Sequence, residues 1–330
     1  MIIDFHTHTF PDRIASRAIA GMQAASHAAA FAEGTLSGLR ASMDRAGITH
    51  SVVLPVATNP HKLSSMNDSS IALNGQHGIF HFGAVHPLAE NWKEELERIA
   101  AAGLRGIKIH PHYQEVDIDD IRYLRLLGRA AELGLVTVMH AGLAIGFPGV
   151  VRCSPEMTAS ALRQLGNIPI VLAHMGGWKN WEQVASLLEP TGCMLDTAIS
   201  LGRIVPNAPG HYREEELPLL GDEGFLALVR AFGSDRILFG TASPWADQAD
   251  PVAHIRALPL TEAEKEDILW RNAQMLLRIV SLPLRIAKLH SERTSLRQQL
   301  HSDSYFTKCF FLIPHPVFCE VCYASEVSVK

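Results

Sequence analysis

Charge is scarce in this chain, and so are aromatic residues and cysteines in any ordered spacing. Asp, Glu, Lys and Arg make up 19% of it and Phe, Trp and Tyr 7%, with a formal charge of −5. That balance offers no basic patch, so no nucleic-acid partner is expected. No apolar run reaches the roughly 18 residues a membrane helix needs. The first residues begin a strand-like run at once, without the basic stretch and apolar core of a secretory signal. No membrane partner is therefore expected, and the cytoplasm is the expected location. The five cysteines, Cys153, Cys193, Cys309, Cys319 and Cys322, are odd in number and show no framework spacing, which fits a reducing compartment.

What the chain has in excess is histidine, 17 in 330 residues, on a background that is 47% apolar. Short Val-, Ile- and Leu-rich runs occur at 2–8, 49–57, 80–86, 104–110, 134–140, 168–174, 193–198 and 236–242. Eight such runs separated by helical periodicity predict an α/β fold, a (β/α)8 TIM barrel. Helices are expected over 92–102, 121–133 and 157–165, stopped by Gly103, Gly134 and Gly166. Thr261 and Glu264 form a capping-box pattern for a last helix that places Ile268, Leu269, Leu276 and Leu277 against the barrel. The barrel is expected to occupy residues 1–280. Residues 281–330 lack glycine and the strand–helix alternation, and are read as a disordered or non-homologous extension. Its Cys309, His315, Cys319 and Cys322 are weak candidates for zinc, having no second half-site.

Barrel chemistry sits at the C-terminal strand ends. The first run delivers His6 and His8, two apart on one face, so that both can reach one ion. Later runs end in Lys108 and His110, His140, His174 and Asp196, and the eighth in Thr241-Ala242-Ser243-Pro244-Trp245. His86 is a further candidate for the barrel mouth. Asp196 either orients a ligand histidine or caps a loop. His110 and His112 either touch substrate or face solvent. Trp178 and Trp245 either wall a pocket or pack on a loop. His50, His61, His77 and His81 are read as surface or turn residues. The stretch 200–222 is long enough to cover the mouth. Imidazoles from separate strands favour zinc, with manganese or iron as alternatives. Three of them without a carboxylate leave positions open to water.

The segments IIDFHTHTFP, GIKIHPHYQ, VMHAG, LAHMGG, ILFGTASPWADQ and ILWRNAQMLL resemble the amidohydrolase superfamily. Within it they are similar to the amidohydrolase-related group that includes enzymes like aminocarboxymuconate semialdehyde decarboxylase. The resemblance implies a distorted barrel with one or two divalent metals. His6, His8 and His140 then match metal ligands, and His174 matches a histidine that binds metal or assists proton transfer. Lys108 falls where binuclear relatives carry a carboxylated lysine, and is read here as a contact for an anionic substrate group together with His110. The chain departs from the pattern at Ala242, where similar sequences have an aspartate that serves as ligand and general base. A methyl group does neither, and loss of a positioned proton-transfer group costs on the order of 10²–10⁴ in rate. Neither Asp247 nor Asp196 holds the matched position.

These readings predict a metal-dependent hydrolase of a small polar or aromatic organic substrate, weakened by Ala242. Its catalytic residues are His174 and Lys108, its substrate contacts His110, Trp178 and Trp245, and its metal ligands His6, His8, His140 and His174. A non-oxidative decarboxylase of the same group and a catalytically silent metal-binding or substrate-sensing barrel are the alternatives. A homodimer is the oligomer considered, with no surface stripe to argue it.

Overall fold

A computed structural model describes residues 1–213 and 216–279. The expected extension, with Cys309, His315, Cys319 and Cys322, lies outside the described residues. Among the described residues nine strands all run parallel: β1 (Ile3–Thr7), β2 (His50–Val53), β3 (Ile79–His81), β4 (Gly83–Ala84), β5 (Gly106–Ile109), β6 (Val136–Met139), β7 (Ile170–Leu172), β8 (Met194–Asp196) and β9 (Ile237–Leu238). They form ladders in the orders β1-β2-β3 and β4 through β9. β3 and β4 are one chain passage interrupted at Phe82, whose N–H still bonds Val53 O at 3.0 Å. Eight strand positions thus result, as the sequence predicts.

The last position returns to the first. Phe5 N donates to Phe239 O at 2.8 Å, Ala242 N to His6 O at 2.7 Å and His8 N to Ser243 O at 2.7 Å, which joins the strand ends around the ring. These bonds matter for chemistry because they place Ala242 beside the His6-Thr7-His8 segment. A buried carboxylate strengthens the same seam. Asp4 accepts the Thr241 N–H (3.1 Å), the Thr241 hydroxyl (2.6 Å) and the Gln248 amide (2.7 Å).

Helices follow the strands in the expected alternation. Trp92–Ala101, Ile121–Glu132 and Pro155–Leu165 occupy the predicted segments, the last extended by an N-terminal Ser154 cap and Pro155. The capping box of Thr261 and Glu264 is present. The final helix passes through a π-helical stretch over Asp267–Arg271 before Asn272–Leu277. Ile268, Leu269 and Leu277 are buried as expected, and Leu276 is half-buried. One cluster, including Ile3, Phe5, Val52, Phe82, Val138 and Leu238, is joined by Ala273 and Leu277 from this helix. A larger cluster packs the other strand faces, such as Ile107, Ile109 and Leu172, against helical residues such as Leu96, Leu126 and Leu162. Continuous apolar strands are what a sheet covered on both faces requires. Among the described residues no helix is long and apolar enough to cross a membrane.

Within the stretch 200–222, residues 205–212 are tied to residues 26–29. Ala29 N donates to Val205 O at 2.7 Å, Asn207 N donates to His27 O at 2.9 Å, and the Tyr212 hydroxyl bonds Ser26 O. Phe31 N in turn donates to Pro244 O at 2.7 Å, linking this region to the loop after β9.

Candidate metal centre

Four histidines predicted from strand ends come together here. The His6 and His8 Nε2 atoms lie 3.2 Å apart. His174 Nε2 lies 3.0 Å from His140 Nδ1. The His6 and His174 rings are neighbours, with centroids 5.5 Å apart.

Each ring is held by its other nitrogen. His6 Nδ1 donates to Asp196 Oδ2 at 2.8 Å, His8 Nδ1 to Leu54 O at 2.8 Å, His174 Nδ1 to Ala198 O at 2.8 Å and His140 Nε2 to Leu143 O at 3.0 Å. A carbonyl oxygen only accepts, so the nitrogen facing it carries the proton. Burial holds the proton affinities of His6, His8 and His140 well below the usual imidazole range and lowers that of His174 to about 4. The four rings are therefore neutral at pH 7. His6 Nε2 and His8 Nε2 then present lone pairs to each other, and so do His174 Nε2 and His140 Nδ1. Two acceptors in contact repel unless a cation lies between them or a donor approaches. Ligand nitrogens in a tetrahedral zinc site stand about 3.3 Å apart for Zn–N of about 2.0–2.1 Å. The spacing, the neutral rings and the anchored far nitrogens all fit a divalent metal.

Asp196 settles the choice left open by the sequence, because it both orients and caps. Its Oδ1 accepts the backbone N–H of His174 (3.1 Å) and of Ala198 (3.0 Å) while Oδ2 holds His6. Burial raises its proton affinity, opposed by the nearby His174 and Lys108. Lys108 is 1% exposed, and its Nζ donates to His6 Nε2 at 3.2 Å. Desolvation lowers its pKa to about 8. His174 and Ala242 both adopt left-handed backbone, with φ of 61° and 62°. Non-glycine residues in that region gather at functional sites. The Trp181 indole donates to His174 O at 2.8 Å and fixes the turn.

The remaining candidates fall nearby with varied roles. His110 and His112 are both buried, which removes solvent exposure as a reading. Trp178 is buried and clamps the segment after His140: Leu143 N donates to Trp178 O at 2.9 Å and Trp178 N to Ala141 O at 3.1 Å. Trp245 is half-buried in a turn closed by its N–H on Ala242 O. His86 is buried and accepts the Leu88 N–H at 3.2 Å. Asp247 accepts the Ala249 N–H at 3.2 Å, a local cap at the start of the following helix. His81 corrects the surface reading. It lies buried in β3 with Nε2 unpartnered, because strand pairing rather than turn chemistry governs that segment.

Sequence reasoning missed Asp4 and Gln114. Gln114 Oε1 accepts the His110 N–H (3.0 Å) and the Tyr123 hydroxyl (2.5 Å), while Nε2 reaches Val85 O (2.5 Å) and Ala57 O (3.2 Å). The polar residues in otherwise apolar stretches were the available signal for both.

The amidohydrolase family model matches residues 3–279. Among solved structures, a TIM-barrel protein from Bordetella bronchiseptica aligns at 20% identity and TM-score 0.66, covering 84% of this chain and 98% of that one. A dihydroxybenzoic acid decarboxylase from Polaromonas sp. JS666, holding manganese and the inhibitor 2-nitroresorcinol, aligns at 17% identity and TM-score 0.58, covering 85% and 98%. A candidate 2-pyrone-4,6-dicarboxylic acid hydrolase from Pseudomonas putida aligns at 19% identity and TM-score 0.56, again covering 85% and 98%. No curated protein matches the chain.

Proposed function

Because this chain belongs to the amidohydrolase family across residues 3–279, we propose that it is a metal-dependent hydrolase of a small polar or aromatic organic substrate. Its cation is held by His6, His8, His140 and His174. The observation that carries this reading is the two pairs of facing imidazole lone pairs, 3.2 and 3.0 Å apart, at the C-terminal strand ends. A divalent ion there supplies Lewis acidity that polarises a substrate oxygen and acidifies water.

The chain's own groups do the rest. Asp196 and the carbonyls of Leu54, Leu143 and Ala198 fix which nitrogen of each ring is free. His174 Nε2 carries that ring's one free lone pair, so it accepts and returns a proton only where the cation is held by His6, His8 and His140 alone. Among the described residues Lys108 bonds no carboxylate, and its ammonium turns to an anionic substrate group once His6 Nε2 is engaged elsewhere. His110 lies beside it, and Trp178 and Trp245 wall the approach.

Ala242 favours a second reading, decarboxylation. The eighth strand end has no carboxylate to take a proton from water, and both Asp196 oxygens are committed. Loss of carbon dioxide needs a polarised substrate oxygen and a proton donor. Lys108, with a pKa of about 8, is such a donor.

The test is a panel of lactones, amides and aromatic carboxylates offered to metal-stripped and metal-restored protein in ¹⁸O-labelled water. Label entering the organic product identifies hydrolysis, and carbon dioxide release with no label in the organic product identifies decarboxylation. Turnover that survives metal removal unchanged overturns both.

A further inference from the structure

A file of aromatic rings leads outward from the candidate ligands. His174 meets His140 with centroids 4.8 Å apart, and His140 stacks on His110 at 4.0 Å. His110 meets Tyr113 edge to face at 4.5 Å, and Tyr113 meets Phe147 edge to face at 5.0 Å. The three histidines are buried, whereas Tyr113 and Phe147 are half-buried, so the file runs from the centre toward the surface. Burial first, and then the charges of Lys108, His112, His174 and His8, hold the proton affinity of His110 well below the usual imidazole range. Its ring therefore shares their enclosure.

Both outer rings are fixed from behind. Tyr113 sits on the short helix Pro111–Gln114, which follows β5, and Gln114 ties that helix to the His110 N–H and to the carbonyls of Val85 and Ala57. Phe147 lies in the segment after β6, where Gly142 N donates to Cys153 O at 2.9 Å, Phe147 N to Ala144 O at 3.0 Å and Val150 N to Phe147 O at 3.2 Å.

Polar groups along this file lack partners. His110 Nδ1 is buried with no hydrogen bond, which is uncommon in a folded protein. His110 and His140 lie only 13° from parallel, so their in-plane lone pairs cannot both aim at one ion. His112 differs, with Val150 O 3.3 Å from Nε2 and the Cys153 sulfur 3.8 Å from Nδ1. Among the described residues the Tyr113 hydroxyl makes no hydrogen bond, while the Tyr123 hydroxyl donates to Gln114 Oε1 and that of Tyr212 to Ser26 O. Burial raises the Tyr113 proton affinity, so this hydroxyl is a donor at pH 7.

We propose that Tyr113 is a specificity-determining residue whose hydroxyl donates to an oxygen substituent on the end of a planar substrate remote from the metal, with Phe147 packed against the substrate's ring. This rests on the functional reading for the near end, where Lys108 and His110 take the anionic group. A flat ring extends the file in the geometry its members already use, whereas a saturated ring of the same size has no quadrupole to match it.

Isothermal titration calorimetry of the full-length protein, with Zn²⁺ in excess and again with chelator, tests this. The probes are benzoate, 3-hydroxybenzoate, 4-hydroxybenzoate and cyclohexanecarboxylate. Wild-type protein should bind one of the hydroxybenzoates about 2- to 10-fold more tightly than benzoate. Tyr113→Phe should erase that preference and leave benzoate affinity unchanged. The variant loses only a hydroxyl that bonds nothing among the described residues, so its melting temperature should match the wild type. Phe147→Leu should cost benzoate about 2- to 10-fold and cyclohexanecarboxylate much less. An equal loss for all four acids in Tyr113→Phe, or a hydroxybenzoate preference that survives it, overturns the assignment. Binding that needs Zn²⁺ but shows no discrimination through Tyr113 also overturns it, and leaves the proposed function standing. Discrimination through Tyr113 that is unchanged by chelator supports the residue and counts against a metal in the site. Failure of all four acids to bind in either condition overturns the role given to Tyr113.

Discussion

Replacing Asp4 with asparagine should flatten the pH dependence of stability. Asp4 is buried at the seam between β1 and the loop after β9, and desolvation raises its pKa from 3.8 to about 6 against four hydrogen bonds that lower it. A carboxyl whose folded pKa lies above its unfolded value binds protons more tightly when folded. Stability is then highest at low pH and falls as pH rises from about 4 through about 6. The full shift corresponds to about 3 kcal/mol, and about 2 kcal/mol of it falls between pH 4.5 and 7.5.

The variant should fold, because its neighbours adapt. Thr241 Oγ1 is able to accept from the new amide, and Gln248 Oε1, buried and unpartnered in the wild type, accepts once that side chain turns over. Urea melts of both proteins with chelator present, at pH 4.5 and 7.5, isolate Asp4 in the difference of their unfolding free energies. The asparagine protein should gain about 2 kcal/mol on the wild type over that interval. A difference that is constant with pH, or that moves toward the wild type as pH rises, refutes the burial argument.

Asp196→Asn should weaken metal binding about 10- to 100-fold, since a lost partner to a ligand histidine has that typical cost; competition against a chromophoric chelator measures it. Ala242→Asp suits the left-handed backbone better than alanine does. It should tighten the metal and raise turnover on the order of 10²–10⁴-fold in a substrate panel, whereas no gain would favour a silent barrel. Gly106→Ala should cost at least about 3 kcal/mol, read as a lowered melting temperature, because its Cβ would meet Val136 O at 2.2 Å and the Phe82 ring at 2.4 Å. We also propose that the chain divides after residue 280, so that truncation there should leave a protein with one cooperative melt.

Strand positions were legible because a parallel strand covered on both faces must be apolar throughout, and loops between such strands are not. Their ends were less so. The run 236–242 contains a strand of only Ile237–Leu238, since beyond it the backbone bonds to β1 outside a regular ladder. The run 80–86 begins inside a strand that breaks at Phe82. The histidines could be read because a barrel confines its chemistry to strand ends, so position and residue type coincide. Asp4 could not, because its partners Thr241 and Gln248 lie 237 and 244 residues away. The state of the centre is hidden more deeply still. Which nitrogen of His8, His140 or His174 carries the proton is decided by the carbonyl oxygens of Leu54, Leu143 and Ala198. Any residue supplies a carbonyl, so no side-chain pattern encodes that choice. The candidate ligands are written in the sequence, whereas the placing of the lone pairs that would let them hold an ion is a property of the backbone path.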